Sequence, residues 1–475
     1  MLIKPQVYSN DELDSLYNIC IQLRAPELSD YSFELNPEDK KCGFEIINRV
    51  RFAFDQFTIE QQKTLQPLLQ RPVMHKSIIS PSGFFKIHFD TSGFNIPSYN
   101  LLLTADQNAS LVAEALDSTY RFEIDFLGYP NPPADFGEGG DDLYDIYIIN
   151  QGGSLYGYTQ FENEVTAGTN KFTSYMVLDN SFAGYFSQGV DGLNVTVAHE
   201  FHHSVQGGNY ILRFEDTYFY EITSTALEEF VYDDVNDYYQ YLDSYFRRTD
   251  LAMPMQNGYN LAIWNLFLQE NFDFEIIKRQ WELMPTMRAV LAINQSLLER
   301  NSSFPRELNK FGIWTYFTNY RYVPGNYFKE AINYPVIIPT SAVQFTPPSQ
   351  NVLLDAQATS NNFISFSISS MNDTLVAIIS NGDAFNAIRQ VQQMNFEYTL
   401  FSDPNTGERE LTENYSSTFN TSNKNLWSVS EILNNIIVRE DSSVNVSVEN
   451  LDYAFPNPFY YTRNYLTGSF IFFPV

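Results

Sequence analysis

Two histidines four residues apart, with a glutamate directly after the first, form the most specific chemical pattern in this sequence. On a helix, His199 and His203 lie one turn apart and face the same way. Two imidazoles at this spacing can bind one zinc ion, and Glu200 then lies beside the metal, where it can take a proton from a bound water. The pattern therefore predicts a zinc centre that hydrolyses a bond, and a solvated histidine-rich helix face is the alternative.

A third metal ligand has to come from another segment, because a catalytic zinc usually has three protein ligands and one open position. The next predicted helix, near residues 216–235, offers Glu221, whose carboxylate reaches both imidazoles if the two helices are antiparallel. Glu228 lies seven residues later on nearly the same face, and it is either the ligand or a partner that supports the site. Glu221 is the favoured ligand, and an acidic helix surface is the alternative for both residues.

Two further residues are candidates for supporting roles. Hydrolysis of this type needs a group that stabilises the developing oxyanion, and Tyr259, at the start of a predicted helix over 259–271, is the candidate. His202 lies near the edge of the ligand face of its helix. We therefore expect it to pack or to form a hydrogen bond with a neighbouring carboxylate, and not to bind the metal.

The segment 137–145 combines acidic side chains with glycine and could hold a second kind of ion. Clustered carboxylates on flexible backbone can bind Ca²⁺. The segment lacks the ligand spacing of a standard calcium loop, so an ordinary turn before a strand is the favoured interpretation. Zn²⁺ is thus the main expected cofactor and Ca²⁺ a secondary one.

The N-terminal part of the chain, residues 1–78, is predicted to be helical. Capping boxes at Ser9–Glu12 and Thr58–Gln61 precede apolar residues at helical spacing. This part is either a pro-segment that masks the cleft or a helical cap on the next domain, and the cap is the favoured interpretation.

The two cysteines of the chain, Cys20 and Cys42, both lie in this N-terminal part. A disulfide that closes a loop of about twenty residues is favoured over two free buried thiols.

The remaining chain indicates an α+β fold, because strands come first and helices later. Residues 79–335 are predicted to form the catalytic domain, with a mixed sheet and the helices of the active site. Prolines near 335–348 mark a linker or a series of turns. Beyond them the sequence has strand-like segments between polar turns, so residues 336–450 are predicted to form a β-sandwich. Residues 451–475 form a separate C-terminal piece.

Composition limits the classes of partner. The net charge of -29 repels a phosphate backbone, so nucleic-acid binding is not expected. We find no run of about eighteen apolar residues, so no membrane span is expected either. The polar residues 1–10 do not resemble a signal peptide, although the acidity is compatible with an extracellular protein. The expected partner is a protein or peptide substrate.

Several segments resemble a known family. Residues 198–206 (Ala-His-Glu-Phe-His-His-Ser-Val-Gln) and 220–229 (Tyr-Glu-Ile-Thr-Ser-Thr-Ala-Leu-Glu-Glu) resemble the zincin metallopeptidases whose third ligand is a glutamate. They are most similar to a family of secreted bacterial metalloproteases with a His-Glu-x-x-His helix, as are the stretches at 139–145, 156–159 and 232–239. Residues 454–459 (Ala-Phe-Pro-Asn-Pro-Phe) resemble the opening of a C-terminal sorting domain of secreted bacterial surface proteins.

The resemblance covers about residues 80–335 and implies a zincin-like sheet whose edge strand lines the cleft. It implies His199, His203 and Glu221 as ligands and Glu200 as the base. One residue departs from the pattern, because Thr225 stands where thermolysin-like relatives have an aspartate that orients a zinc-bound histidine. A secreted zinc metallopeptidase is the expectation. The alternatives are a non-catalytic surface-binding or adhesion protein on the same scaffold and a zinc hydrolase of a non-peptide amide.

Overall fold

The computed structural model describes residues 7–28, 41–344, 351–352, 357–367, 393–396 and 417–420. The chain forms two compact units. The first contains Met1–Tyr245 and Met253–Ser296, and the second contains Phe246–Ala252 and Leu297–Val475. All predicted site residues belong to the first unit, which also contains the N-terminal helices.

Three N-terminal helices cover one face of the sheet. They are α1 (Asn10–Arg24), α2 (Phe44–Phe52) and α3 (Ile59–Leu68). The predicted capping boxes are present at the starts of α1 and α3, where each cap side chain and the side chain three residues later exchange hydrogen bonds with backbone N–H groups. The apolar faces of these helices pack on buried residues of the sheet, Tyr147, Tyr158, Tyr175 and Val177, and on Leu155 just before β4.

A five-stranded mixed sheet forms the centre of the first unit. Its strands are β1 (Lys76–Ile79), β2 (Phe85–Phe89), β3 (Tyr144–Ile149), β4 (Gly157–Glu164) and β5 (Phe172–Asp179), in the order β1-β2-β3-β5-β4. The strands β2, β3 and β5 are parallel, whereas β1 and β4 are antiparallel edges. The sequence pattern did not predict β4, because its first five residues are all buried and show no alternation.

Eight helices follow or interleave with the strands in the described part of the chain. They are α4 (Ala105–Tyr120), α5 (Gly189–Val205), α6 (Thr217–Val231), α7 (Tyr239–Arg247), α8 (Ala262–Asn271), α9 (Phe274–Leu283), α10 (Ala289–Glu299) and α11 (Phe304–Tyr316). The fold is therefore α+β, as the sequence predicted. Helix α5 packs against α4, α6, β4 and β5, which buries it on all sides. None of the described helices is both long enough and apolar enough to cross a membrane.

The second unit contains two short strand pairs among its described residues. Strand β6 (Ser341–Gln344) pairs in parallel with β7 (Ile364–Ser367), and β8 (Gln393–Phe396) pairs antiparallel with β9 (Ser417–Asn420). Most of the β-sandwich predicted for 336–450, and all of the C-terminal piece 451–475, lie outside the described residues.

The disulfide favoured from the sequence is wrong. Cys20 and Cys42 are both free and buried. Cys20 lies on α1 within the apolar core under the sheet. Cys42 lies elsewhere, in an isolated parallel bridge with Gly157 at the start of β4. The two thiols are thus held by different elements.

Candidate metal centre

Helix α5 presents two imidazoles to the same buried point. The Nε2 atoms of His199 and His203 lie 3.1 Å apart, and both side chains are at most 1% exposed. Their spacing of one helical turn produces this arrangement directly. The residues before and after them on α5 are buried as well, so the pair lies in the interior and not on a solvated helix face.

The carboxylate of Glu221 completes this group from α6, which packs along α5. Its Oε2 lies 3.1 Å from Nε2 of His199 and 3.4 Å from Nε2 of His203. Glu221 is 3% exposed. Two imidazole nitrogens and one carboxylate oxygen therefore converge in a buried position, which is the donor set that catalytic zinc sites use.

Outer contacts fix which nitrogen of each ring faces the centre. Nδ1 of His199 lies 2.7 Å from Oε1 of Glu228 and donates its proton to that carboxylate. Nδ1 of His203 lies 2.8 Å from Oε1 of Gln206, whose amide nitrogen donates to the carbonyl of Tyr220. In the neutral form of each ring, Nδ1 carries the proton and Nε2 has the lone pair, and the two Nε2 atoms are directed at the same point.

Glu228 thus lies behind His199, whereas Glu221 lies on the side of the converging nitrogens. This arrangement distinguishes the two carboxylates that the sequence left as alternatives. Thr225, which stands where the resemblance predicted an orienting aspartate, leaves its hydroxyl without a hydrogen bond to any described residue. The orienting contact to His199 comes instead from Glu228, one helical turn further along α6.

The electrostatics of the group favour a positive charge at its centre. Burial alone would lower the pKa of His199, but its hydrogen bonds with Glu221 and Glu228 outweigh burial and raise the pKa to about 9. Burial would raise the pKa of Glu221, but the neighbouring imidazoles of His203 and His199 lower it to about 2. Without a metal, a proton is therefore held where a cation would otherwise balance the carboxylates.

Glu200 lies beside this group and is held by the edge strand. The hydroxyl of Thr159, on β4, has two acceptors on Glu200, the backbone carbonyl oxygen at 2.7 Å and Oε2 at 3.0 Å. The other oxygen, Oε1, is buried, and the thiol of Cys42 lies close enough to hydrogen-bond this carboxylate. Burial raises the pKa of Glu200, although the nearby His199 and His203 oppose the shift. One carboxylate oxygen is thus fixed and the other is left for a further partner.

Tyr259 reaches the group from the segment that precedes α8. Its ring stacks on His199 with the centroids 5.9 Å apart, and burial raises the pKa of its hydroxyl well above the ordinary range. Gly258 makes this approach possible, because its φ is +93° and a Cβ there would lie 2.5 Å from Cβ of Glu221. A side chain at position 258 would push Tyr259 away from α6.

Cys42 is the fourth member of the group, and the sequence analysis did not find it. One ligand atom each from Cys42, His199, His203 and Glu221 lies within 4.8 Å of the other three, and all four residues are buried. The cluster could hold a metal ion. Cys42 lies far from the other three in sequence and has no histidine or second cysteine at ligand spacing, so no local pattern indicates its role. The two-cysteine count excluded a cysteine-rich site but not a single cysteine ligand.

His202 contacts a different carboxylate, as expected from its position on α5. Its Nδ1 lies 2.7 Å from Oε2 of Glu123, and both side chains are fully buried. Burial lowers the pKa of His202 and raises the pKa of Glu123, so the pair is neutral. His202 therefore belongs to the packing of α5 and not to the metal group.

The acidic loop considered for calcium is held by basic side chains. Lys86 donates to Oδ2 of Asp141 at 2.8 Å and to the carbonyl of Gly139 at 3.0 Å. Asp145 pairs with Arg71, and its Oδ1 lies 2.6 Å from Nε2 of His88. These carboxylates are already neutralised by cations of the protein, which agrees with the favoured interpretation of an ordinary turn before β3.

Comparison with known protein families and with curated proteins gave no match. The family resemblance carried by residues 198–206 and 220–229 therefore remains a prediction.

Proposed function

We propose that this protein is a secreted zinc-dependent metallopeptidase that hydrolyses protein or peptide substrates. The observation that supports the proposal most is the convergence of His199 Nε2, His203 Nε2 and Glu221 Oε2 within 3.1–3.4 Å, with Glu200 beside them. Two imidazoles and one carboxylate are a zinc donor set of the catalytic kind. The zincin-like character of the fold belongs to the same proposal.

The residues present fit a zinc ion. Both Nε2 lone pairs are directed at one point, and Glu221 adds the negative charge that a divalent cation balances. Zinc bound there would lower the pKa of a bound water and polarise a carbonyl oxygen. His199 would hold the ion in a fixed orientation, because Glu228 accepts the proton of its opposite ring nitrogen.

Glu200 acts as the general base through Oε1 in this account. Thr159 fixes Oε2 by its hydrogen bond, so Oε1 is the oxygen available to take a proton from the attacking water. Burial raises the pKa of this carboxyl, which suits a group that takes a proton from water and then returns it to the leaving amine. Tyr259 keeps its hydroxyl proton and donates a hydrogen bond to the developing oxyanion.

A second candidate is a closed, non-catalytic metal site, and Cys42 is the observation that favours it. Structural zinc sites have four protein ligands and no open position, and Cys42 brings the number of ligand residues to four. This candidate corresponds to the non-catalytic binding protein considered from the sequence. It predicts bound zinc without hydrolysis in every variant.

The test measures zinc content and casein hydrolysis in wild type and Cys42→Ala, each with and without Glu200→Gln. The Cys42→Ala background is included because the thiol lies within the group. The proposal predicts that all four proteins bind about one zinc and that hydrolysis, where present, is lost with Glu200→Gln. Zinc-bound proteins that fail to hydrolyse in either background would favour the closed site, and hydrolysis that survives Glu200→Gln would remove Glu200 as the base.

A further inference from the structure

The segment 41–44 passes directly over the proposed metal centre, although it belongs to the N-terminal part of the chain. We propose that the thiolate of Cys42 occupies the open metal position in the full chain, so that the enzyme is latent until this segment is displaced. The inference rests on the proposed function, because it concerns regulation of the same site. Four independent contacts of the segment support it.

The first contact is the thiol itself. Sγ of Cys42 belongs to the same 4.8 Å cluster as the ligand atoms of His199, His203 and Glu221. It also lies close enough to Glu200 that the carboxylate raises the pKa of the thiol, in addition to burial. The thiol is therefore close both to the three proposed ligands and to the proposed base.

The second contact is made by the backbone of the segment. Gly43 donates its N–H to the carbonyl oxygen of Gly157 at 3.0 Å, and Cys42 is the bridge partner of Gly157. Gly157 begins β4, whose other side is already paired with β5. The segment thus takes the free edge of β4 at the site, and an extended peptide substrate could use that edge in the same way.

Lys41 makes the third contact. Its Nζ lies 2.9 Å from Oε2 of Glu228 and 2.7 Å from Oδ2 of Asp237, and the side chain is 1% exposed. The amine also lies 4.7 Å from the ring centroid of Tyr156. Because Glu228 simultaneously orients His199, the segment is tied to the same carboxylate as a proposed ligand.

Phe44 makes the fourth contact on the other side of Cys42. Its ring stacks on His203 with the centroids 4.1 Å apart and the planes at 12°. It also stacks on Tyr220, at 5.5 Å. The residues on both sides of Cys42 thus contact groups of the site, Lys41 through Glu228 and Phe44 through His203. These contacts hold the buried thiol at the centre.

These contacts have a chemical consequence for the metal. A cysteine binds zinc as the thiolate and releases its proton to solvent on binding. With His199, His203 and Glu221 it makes four protein ligands, which leaves no position for water in a tetrahedral site. Removal of the thiol restores three ligands and one open position, which is the arrangement that hydrolysis needs.

The test replaces zinc by Co²⁺ in the full chain and records the near-ultraviolet spectrum, in which a thiolate ligand produces a charge-transfer band. Wild type should show this band, and Cys42→Ala should lose it while it retains the metal. Casein hydrolysis by the zinc form of Cys42→Ala should exceed that of wild type by at least roughly tenfold, since the metal position opens. Cys20→Ala is the matched control, because Cys20 is the other buried thiol and lies in the core of α1.

The proposal is overturned if the wild-type Co²⁺ protein lacks the band, or if Cys42→Ala loses the band without a gain in hydrolysis. Cys42→Ser provides a second variant if Cys42→Ala does not fold, and the wild-type spectrum decides on ligation without any variant. Equal, Glu200-dependent hydrolysis by wild type and Cys42→Ala would overturn the latency while the proposed peptidase function stands. Absence of bound metal from every protein would instead overturn the proposed function.

Discussion

Glu228 accepts a hydrogen bond from Nδ1 of His199 through one carboxylate oxygen, at 2.7 Å, and this contact leaves Nε2 as the ring nitrogen available to a metal. The other oxygen of Glu228 pairs with Lys41. One buried carboxylate therefore links the proposed ligand helix to the N-terminal segment. The orientation of His199 and the position of Cys42, next to Lys41, depend on the same residue.

The Glu228→Gln substitution should weaken zinc binding. The amide can still accept from Nδ1 of His199, but it lacks the charge that makes the imidazole a stronger ligand, so affinity should fall about tenfold or more. Competition with a chelator of known affinity measures the change. Thr225→Val is the matched control on the same helix, because its hydroxyl has no hydrogen bond to the described residues and the change preserves shape. An affinity equal to wild type in Glu228→Gln would contradict the orienting role.

The helix-borne part of the site could be predicted from the sequence for a physical reason. A helix fixes the direction of side chains at i and i+4, so the spacing of His199 and His203 already specifies a shared face. Glu221 and Glu228 follow from the same periodicity on the next helix. The resemblance also directed attention to Thr225, and the structure has the carboxylate of Glu228, not a residue at position 225, in contact with Nδ1 of His199.

The remaining part of the site depends on contacts that local patterns do not encode. Cys42 reaches the group through long-range contacts of its segment, among them the bridge to Gly157 on β4, a strand that the sequence pattern did not indicate. Strand β4 escaped detection because it is buried on both faces near its start, and alternation is the signal by which a half-buried strand is found. The expected disulfide failed for the same reason, since sequence distance says nothing about which element holds each thiol.

Tyr259→Phe should reduce turnover without loss of metal. If the hydroxyl donates to the oxyanion, its removal should lower kcat about 100-fold, because that interaction is made mainly in the transition state. The comparison is made in the Cys42→Ala background, where the metal position is open, and zinc content is measured alongside. Tyr241→Phe is a suitable control, because Tyr241 packs on Tyr259, whereas Tyr259 is the tyrosine proposed to donate to the oxyanion. An unchanged kcat in Tyr259→Phe would remove this residue from the mechanism.

The metal-free protein should lose stability as the pH rises above neutrality. The folded-state pKa of His199, about 9, lies above its ordinary value of 6.5, so the stability that its proton provides is fully present below pH 6.5. That contribution, roughly 3 kcal/mol at most, is lost as the pH rises through about 9. Chemical denaturation of the chelator-treated protein between pH 6 and pH 9.5 measures it.

Two controls separate this effect from general alkaline destabilisation. Zinc-loaded protein should show a much smaller decrease in the same window, because the metal replaces the proton. Metal-free His199→Gln should not show this decrease in stability with pH, since the titrating group is absent. A metal-free wild type whose stability stays constant across this window would contradict the assignment of a proton to the site.

Lys41→Met should destabilise the folded protein. The substitution removes the cation from two buried carboxylates, Glu228 and Asp237, and leaves them uncompensated, which costs about 3–5 kcal/mol. Denaturant unfolding measures the loss. Addition of Asp237→Asn should recover part of it, because one of the two stranded charges is removed. Two substitutions whose effects simply add would show that Lys41 and Asp237 do not interact.

The central claim is that His199, His203 and Glu221 hold a metal ion, and elemental analysis of the purified protein tests it most directly. The matched pair is Glu221→Gln and Glu123→Gln, since each replaces a buried carboxyl beside an α5 histidine, and burial raises the pKa of Glu123. We predict about one zinc per chain in wild type and in Glu123→Gln, and far less in Glu221→Gln. No zinc in wild type, or an undiminished zinc content in Glu221→Gln, would contradict the account.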